Sequence, residues 1–220
     1  MKIFNKVFAA AAAFLLFAGS AFSQTTTDLG SWTSLQLVKP FGDSYAMARM
    51  EHRSFENIGA TECYFAMAGA GYNFTKWLKA DLSYEYWKIP SAGDVTTQKG
   101  VACVTATLKR ETLAVSAREK YELAFTDGVA KGTLRSRLRA QYSLGSTAFT
   151  PYFMYEFFNG FGDTKWIRSL HYFGTDVKLG DHTSLDLFYM YHLFPGKGEL
   201  PGTSTLKACN VLGAGLTVVL

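Results

Sequence analysis

Strict two-residue alternation of apolar and polar side chains is the feature of this sequence that most restricts its fold. In Leu78–Tyr86 every even-numbered position is apolar or aromatic and every odd-numbered one is polar. Thr133–Tyr142 repeats the pattern with three arginines on one face, and 113–123 follows it with Glu119 as an exception on the apolar face. Because successive side chains of a strand point to opposite faces, these segments are predicted to be β-strands with two chemically different faces.

The connections between these segments alternate between short and long along the chain. About ten strands, each near the 9–11 residues that cross a bilayer at a tilt, are therefore expected in residues 44–220. The sequence predicts an all-β fold, a closed antiparallel up-and-down transmembrane β-barrel with a polar lumen, and twelve strands are the alternative count. Trp32–Val38 also reads as extended, but an eleventh strand would place the chain ends on opposite sides of the barrel. Residues 24–43 are therefore expected to form an N-terminal periplasmic or lumenal segment.

The first 23 residues have the layout of a secretory signal peptide. Lys2 and Lys6 give a basic start, residues 7–18 are a continuous apolar stretch, and Ala21-Phe22-Ser23 offers a cleavage site. The apolar stretch is too short to span a bilayer. Residues 1–23 are thus predicted to be a cleaved leader, and the mature chain is expected in the outer membrane of a Gram-negative bacterium.

Alternation alone does not decide which face of a barrel meets water. A soluble barrel turns its apolar face inward, whereas a membrane barrel turns it toward lipid. Like-charged rows such as Arg135, Arg137 and Arg139 would repel one another on a water-exposed sheet, but in a narrow interior they can pair with carboxylates. This favours the membrane barrel, and a soluble periplasmic β-barrel binding protein remains an alternative.

Several short motifs occur in a fixed order along nearly the whole mature chain. They are Gly30-Ser31-Trp32, Gly69-Ala70-Gly71-Tyr72, the basic strand Arg118 to Glu122, the alternating Arg135 to Arg139, Tyr155 to Asn159, and Arg168. Their order resembles that of a family of uncharacterised bacterial outer-membrane proteins, the domain of unknown function 2490. The resemblance implies an outer-membrane barrel, without implying any activity.

The inward faces of the predicted strands carry a set of charges that is the best candidate for a site. Arginine pairs bidentately with carboxylates and keeps its charge at any relevant pH. Two interpretations follow: a structural network that fills the barrel, or a narrow pore that favours small anionic solutes. The predicted lumen network consists of Arg49, Glu51, Arg53, Arg118, Lys120, Glu122, Arg135, Arg137, Arg139, Glu156 and Arg168.

An outer-membrane lipid-modifying hydrolase is the competing class. Ser169 and His171 share a strand face and could form a nucleophile and base on the outer wall, but no motif supports them, and no catalytic residue is assigned. No metal site or cofactor is predicted, because the four histidines are scattered and no Cys-x-x-Cys occurs. Outer-membrane lipid is the expected partner, nucleic acid is not, and a monomer is expected. Cys63, Cys103 and Cys209 allow at most one disulfide, whose pairing the sequence leaves open.

Overall fold

The chain folds into a closed barrel of eleven strands over the residues that the structure describes. The structure is a computed structural model and describes residues 28–145, 147–160, 166–197 and 204–220. No helix in this part of the chain is long and apolar enough to cross a membrane. The strands are β1 (Asp28–Phe41), β2 (Ser44–Phe55), β3 (Ala60–Asn73), β4 (Leu78–Ile89), β5 (Val95–Arg110), β6 (Leu113–Thr126), β7 (Val129–Tyr142), β8 (Phe149–Gly160), β9 (Trp166–Lys178), β10 (Thr183–Lys197) and β11 (Ser204–Val219).

The predicted all-β closed barrel of mostly antiparallel strands is confirmed, but it has eleven strands rather than ten. Successive strands pair antiparallel, and the barrel closes through a parallel pair between β1 and β11. In this seam Asp28 lies opposite Cys209 and Val38 lies opposite Val219. A parallel closing pair permits an odd number of strands, which the sequence-based parity argument did not consider.

The placement of residues 24–43 as a periplasmic or lumenal segment is therefore wrong for residues 28–41. These residues form β1, which is hydrogen-bonded to β2 on one side and to β11 on the other. The barrel consequently begins at residue 28 and not at residue 44. The predicted leader 1–23 lies outside the described residues, as do residues 24–27.

The strand ends define two ends of the barrel. The carboxyl ends of β1, β3, β5, β7 and β9 lie at one end, here named the turn end, and those of β2, β4, β6, β8 and β10 lie at the other, named the loop end. At the loop end, β6 and β7 are joined by a turn of only two residues. Asp127 and Gly128 in this turn have φ angles of 49° and 80°. Two successive positive φ angles are typical of the type I′ turn, whose twist matches that of paired antiparallel strands.

One face of the barrel wall is apolar and the other is polar, as the alternation predicted. On β7 the side chain of Leu138 faces outward and the residue is 53% exposed, whereas the inward side chain of Arg135 is only 14% exposed. The same contrast holds on β4, where Tyr84 and Tyr86 are exposed and Glu85 is buried. The apolar face of the sheet is therefore the outer surface of the barrel.

The interior is filled by apolar as well as charged side chains. One apolar cluster lies on β8 to β11 and a smaller one on β3 and β4, so the interior is divided between aliphatic or aromatic packing and ion pairs. Burial of such clusters is the main favourable contribution to the stability of a packed interior. The first cluster consists of Tyr152, Met154, Phe158, Leu170, Tyr172, Met190 and Val211, and the second of Cys63, Phe65 and Trp87.

Candidate functional site

Arg135 on β7 is the centre of an ion-pair network in the barrel interior. Its Nη1 donates to Oε1 of Glu122 on β6 at 2.5 Å, and its Nη2 donates to Oε2 of Glu156 on β8 at 2.9 Å. Both carboxylates are buried. A buried carboxylate is stable only when ionic or hydrogen-bonding partners replace its lost hydration. Arg135 supplies such partners to both neighbouring strands at once.

Lysines extend this network to β4 and β5. Lys120 Nζ lies 2.8 Å from Oε1 of Glu85 and 2.9 Å from Oε1 of Glu122. Lys99 Nζ lies 3.4 Å from the second oxygen of Glu122. The indole Nε1 of Trp87 donates to Glu85 at 2.9 Å. Buried charges are thus linked through five consecutive strands, β4 to β8.

A second ionic cluster lies on β2. Glu51 is buried and accepts hydrogen bonds from both its inward neighbours on the strand, Arg49 and Arg53, with the Arg53 Nε bond at 2.6 Å. The guanidinium of Arg53 also covers aromatic rings on both sides, 3.8 Å from the centroid of Trp32 on β1 and 4.8 Å from that of Trp87 on β4. Such cation–π contacts strengthen when both groups are withdrawn from water.

The remaining predicted arginines are placed in the interior with weaker ionic partners. Arg118 lies 4.0 Å from Glu156. Within the described residues, Arg137 and Arg168 have no carboxylate oxygen within 4.0 Å, and the buried Nε of Arg168 has no hydrogen-bond partner. Arg168 and Arg135 instead lie over the same ring, each 4.3 Å from the centroid of Phe158. Cations therefore outnumber the carboxylates that neutralise them around Phe158.

Arg139 pairs with a carboxylate that the sequence did not assign to the network. It pairs with Asp176 on β9 and lies 3.9 Å from the ring centroid of Tyr152. The hydroxyl of Tyr152 in turn donates to Asp186 on β10 at 2.7 Å. The inward polar alternation of the strands marks Glu85, Asp176 and Asp186 as lumen-facing, but no local signal identifies which cation each one meets.

The candidate hydrolytic pair lies on the outer wall of β9. Ser169 Oγ is 3.5 Å from His171 Nε2, and the imidazole packs against Tyr155, with ring centroids 4.9 Å apart. Ser169 is only 5% exposed. Among the described residues no carboxylate or amide orients His171, so the geometry lacks the third member that activates a serine nucleophile.

The described part of the chain shows neither a metal site nor a disulfide. No group of three or more His, Cys, Asp or Glu side chains there has the geometry of a metal site. Cys63, Cys103 and Cys209 are all free thiols. The sequence had left their pairing open, and their positions on β3, β5 and β11 are consistent with three separate packed side chains.

Comparison with known proteins agrees with this architecture. A family described as "Protein of unknown function (DUF2490)" matches residues 29–199, which confirms the family that the sequence motifs resembled. A solved structure described as "NanC porin structure in rhombohedral crystal form" is 12% identical in sequence, with a TM-score of 0.54 over 88% of this chain and 99% of that chain. At this identity the likeness shows the fold alone. A comparison with curated proteins finds no match.

Proposed function

Since the chain belongs to the DUF2490 family, whose description assigns no activity, we propose its function from the geometry of the barrel. It is an outer-membrane β-barrel of a Gram-negative bacterium, exported by the leader in residues 1–23. Its interior is largely filled by the Arg–Glu network and the neighbouring apolar cluster. Its role is structural, or it conducts small anions through a narrow path.

The apolar outer wall supports the membrane location. Lipid cannot satisfy polar groups, so a spanning sheet must be closed and must turn apolar side chains outward. A soluble barrel of the alternative class would instead bury these side chains and leave the arginines in water. The porin with the same fold supports the same location. Exposed apolar residues of the wall include Leu35, Met50, Leu82, Tyr84, Val104, Leu108, Leu138, Phe153 and Leu212.

The main evidence that the interior is filled is the position of Arg135 between two buried carboxylates. Its bonds to Glu122 and Glu156 hold charged side chains across three strands instead of leaving them extended along the wall. Eight-stranded barrels have interiors just wide enough for side chains, and sixteen-stranded barrels leave a water channel. Eleven strands with packed rings such as Phe158 in the interior are nearer to the first case.

The excess of interior cations supports a preference for anions. Among the described residues, Arg137 and Arg168 form no direct ion pair with a carboxylate, and the buried Nε of Arg168 has no hydrogen-bond partner. Charged rings and clusters of one sign favour permeation of ions of the opposite sign. Any path through this interior is therefore expected to select small anions.

Planar-bilayer recording of the purified protein tests the proposal. We expect small anion-selective current steps or none, and conductance in the range of sixteen-stranded porins would overturn the filled interior. If steps occur, Arg137→Gln should lower the anion preference. Arg110→Gln removes the same charge from the exposed turn end of β5 and should leave the preference nearly unchanged. Heat-modifiable gel migration and outer-membrane fractionation test the location independently, and recovery in the soluble periplasmic fraction would contradict it.

A further inference from the structure

Glu119 is a carboxylate in the middle of the outer wall. It lies halfway along β6 on the outward face and is exposed. Its Oε2 accepts one hydrogen bond, from Ser136 Oγ on β7 at 2.7 Å. Val104 lies opposite Glu119 on β5 and is also exposed. Among the described strands, no other carboxylate faces outward in the middle third of its strand.

A carboxylate at this depth requires a partner if the wall faces hydrocarbon. An ionisable side chain in the membrane is costly and marks a functional contact by default. One serine hydroxyl supplies one donor, whereas a carboxylate can accept about four hydrogen bonds. Most of the hydrogen-bonding capacity of Glu119 is therefore left for a group outside this chain.

A matching donor lies on the same wall three strands away. Residues that lie opposite one another on successive strands form a row across the sheet, here called a ladder row. The ladder row of Glu119 passes through Ser136 and Phe157 to Ser169 on β9. Glu119 and Ser169 are therefore separated by roughly 14 Å at the usual strand spacing. His171 follows Ser169 on the outward face of β9, toward the turn end. Its imidazole can donate a hydrogen bond to a carboxylate.

The arrangement of this acceptor and donor is self-complementary under two-fold symmetry. A two-fold axis along the membrane normal, between β7 and β8, places β6 of one copy opposite β9 of the other, and the reverse. We propose that the outer wall of β6 to β9 is the interface of a homodimer, in which Glu119 accepts a hydrogen bond from the partner subunit's His171. This inference rests on the proposed membrane location, and it replaces the monomer expected from the sequence.

The ladder rows slope relative to the barrel axis instead of running level around the barrel. This slope brings His171 closer to the height of Glu119 along that axis. The row that starts at Ser34 in the middle of β1 reaches Thr126 at the loop end of β6, so rows rise toward the loop end as strand number increases. A position on β9 level with Glu119 must then lie on the turn-end side of Ser169. That is the direction in which His171 is found.

The side chains between the two polar groups suit such an interface. Leu138, Tyr155 and Phe157 face outward between β6 and β9 and offer flat apolar packing. Apolar packing alone does not distinguish protein from lipid, because lipid tails are as apolar as these side chains. The two Glu119–His171 contacts are therefore what selects a second copy in preference to lipid.

The molecular mass of the full mature protein in mild detergent or nanodiscs tests the inference. We expect a dimer for the parent, and for both Glu119→Leu and His171→Leu a dissociation constant raised at least about tenfold, because each change removes two symmetric contacts. Combining both changes should weaken the dimer little further. Tyr84→Leu, on β4 and therefore outside the β6 to β9 wall, is the matched control and should remain dimeric.

Cysteine cross-linking tests the proposed geometry. In a background with Cys63, Cys103 and Cys209 replaced by serine, two differently tagged copies carry Glu119→Cys and His171→Cys. We expect disulfide formation between the two tagged copies and much less within pairs of identical copies. Leu82→Cys on β4 should not cross-link.

The possible outcomes distinguish a failure of the proposed dimer from a failure of the proposed function. A heat-modifiable protein that fractionates with the outer membrane but is monomeric would overturn the dimer and leave the proposed function intact, with lipid covering the wall. Preferential cross-linking of two Glu119→Cys copies would overturn this interface as well. A protein that remains soluble in the periplasm would overturn the proposed function, and Glu119 would then be hydrated and need no partner.

Discussion

The guanidinium carbon of Arg53 lies 3.8 Å from the centroid of the Trp32 ring. This contact joins the charged inward face of β2 to β1. The sequence had predicted the β1 segment to be periplasmic or lumenal and not a strand of the barrel. Arg53 also donates to the buried Glu51, so the same guanidinium connects an aromatic ring and an ion pair. The strand that closes the barrel is thereby attached to the charged interior.

Replacing Trp32 with alanine is expected to destabilise the barrel by about 3 kcal/mol, because truncation of a large packed aromatic leaves a cavity and here also removes the cover of Arg53. Urea unfolding in lipid vesicles, followed by circular dichroism, measures the change. Trp77→Ala is the control, since Trp77 is an exposed residue at the turn end. Equal losses for the two variants would mean that the ring contact does not hold β1 in place.

Deleting residues 28–41 is expected to prevent closure of the barrel. Without β1, the edges of β2 and β11 have no partners, and an open sheet edge cannot exist in lipid. The folded, faster-migrating band on unheated gels should disappear, while the chain beginning at Gln24 retains it. A heat-modifiable band from the truncated chain would show that β2 and β11 can close a ten-stranded barrel directly.

Glu156→Leu is expected to cost about 3–5 kcal/mol of unfolding free energy, because it leaves Arg135 and Arg118 with fewer counter-charges in a buried site. Adding Arg135→Met should recover part of this loss, since an uncompensated charge is then removed. Denaturant titration of the single and double variants measures the coupling. Glu111→Gln, in the exposed turn between β5 and β6, should change stability by less than about 0.5 kcal/mol.

Ser169→Ala and His171→Ala address the hydrolase alternative. Because Ser169 is only 5% exposed, its hydroxyl is poorly accessible to a lipid substrate, and we expect no phospholipid or lipid A turnover by the parent above a heat-denatured sample. Both variants should give the same background. Turnover by the parent that either substitution abolishes would establish an enzyme and contradict the structural assignment.

Alternation predicted the strands and their faces because it is a local property. Leu138 and Arg139 are adjacent, and a strand must send them to opposite faces whatever surrounds it. For this reason the predicted basic and acidic residues of β2 and β6 to β9 lie on inward faces. The pairing of Arg139 with Asp176 could not be predicted, since it joins β7 to β9 across a strand that carries neither residue.

That this chain forms a barrel of two-faced strands, with apolar residues such as Leu82 on one side and the arginines on the other, follows from the order of its amino acids. How the barrel closes and which charges meet depend on contacts between strands that are distant in the chain. Strand formation depends on neighbours two residues apart, but closure depends on whether β1 and β11, about 180 residues apart, can align their backbone hydrogen bonds. The same distinction applies to Arg135, whose partners depend on the register of three strands.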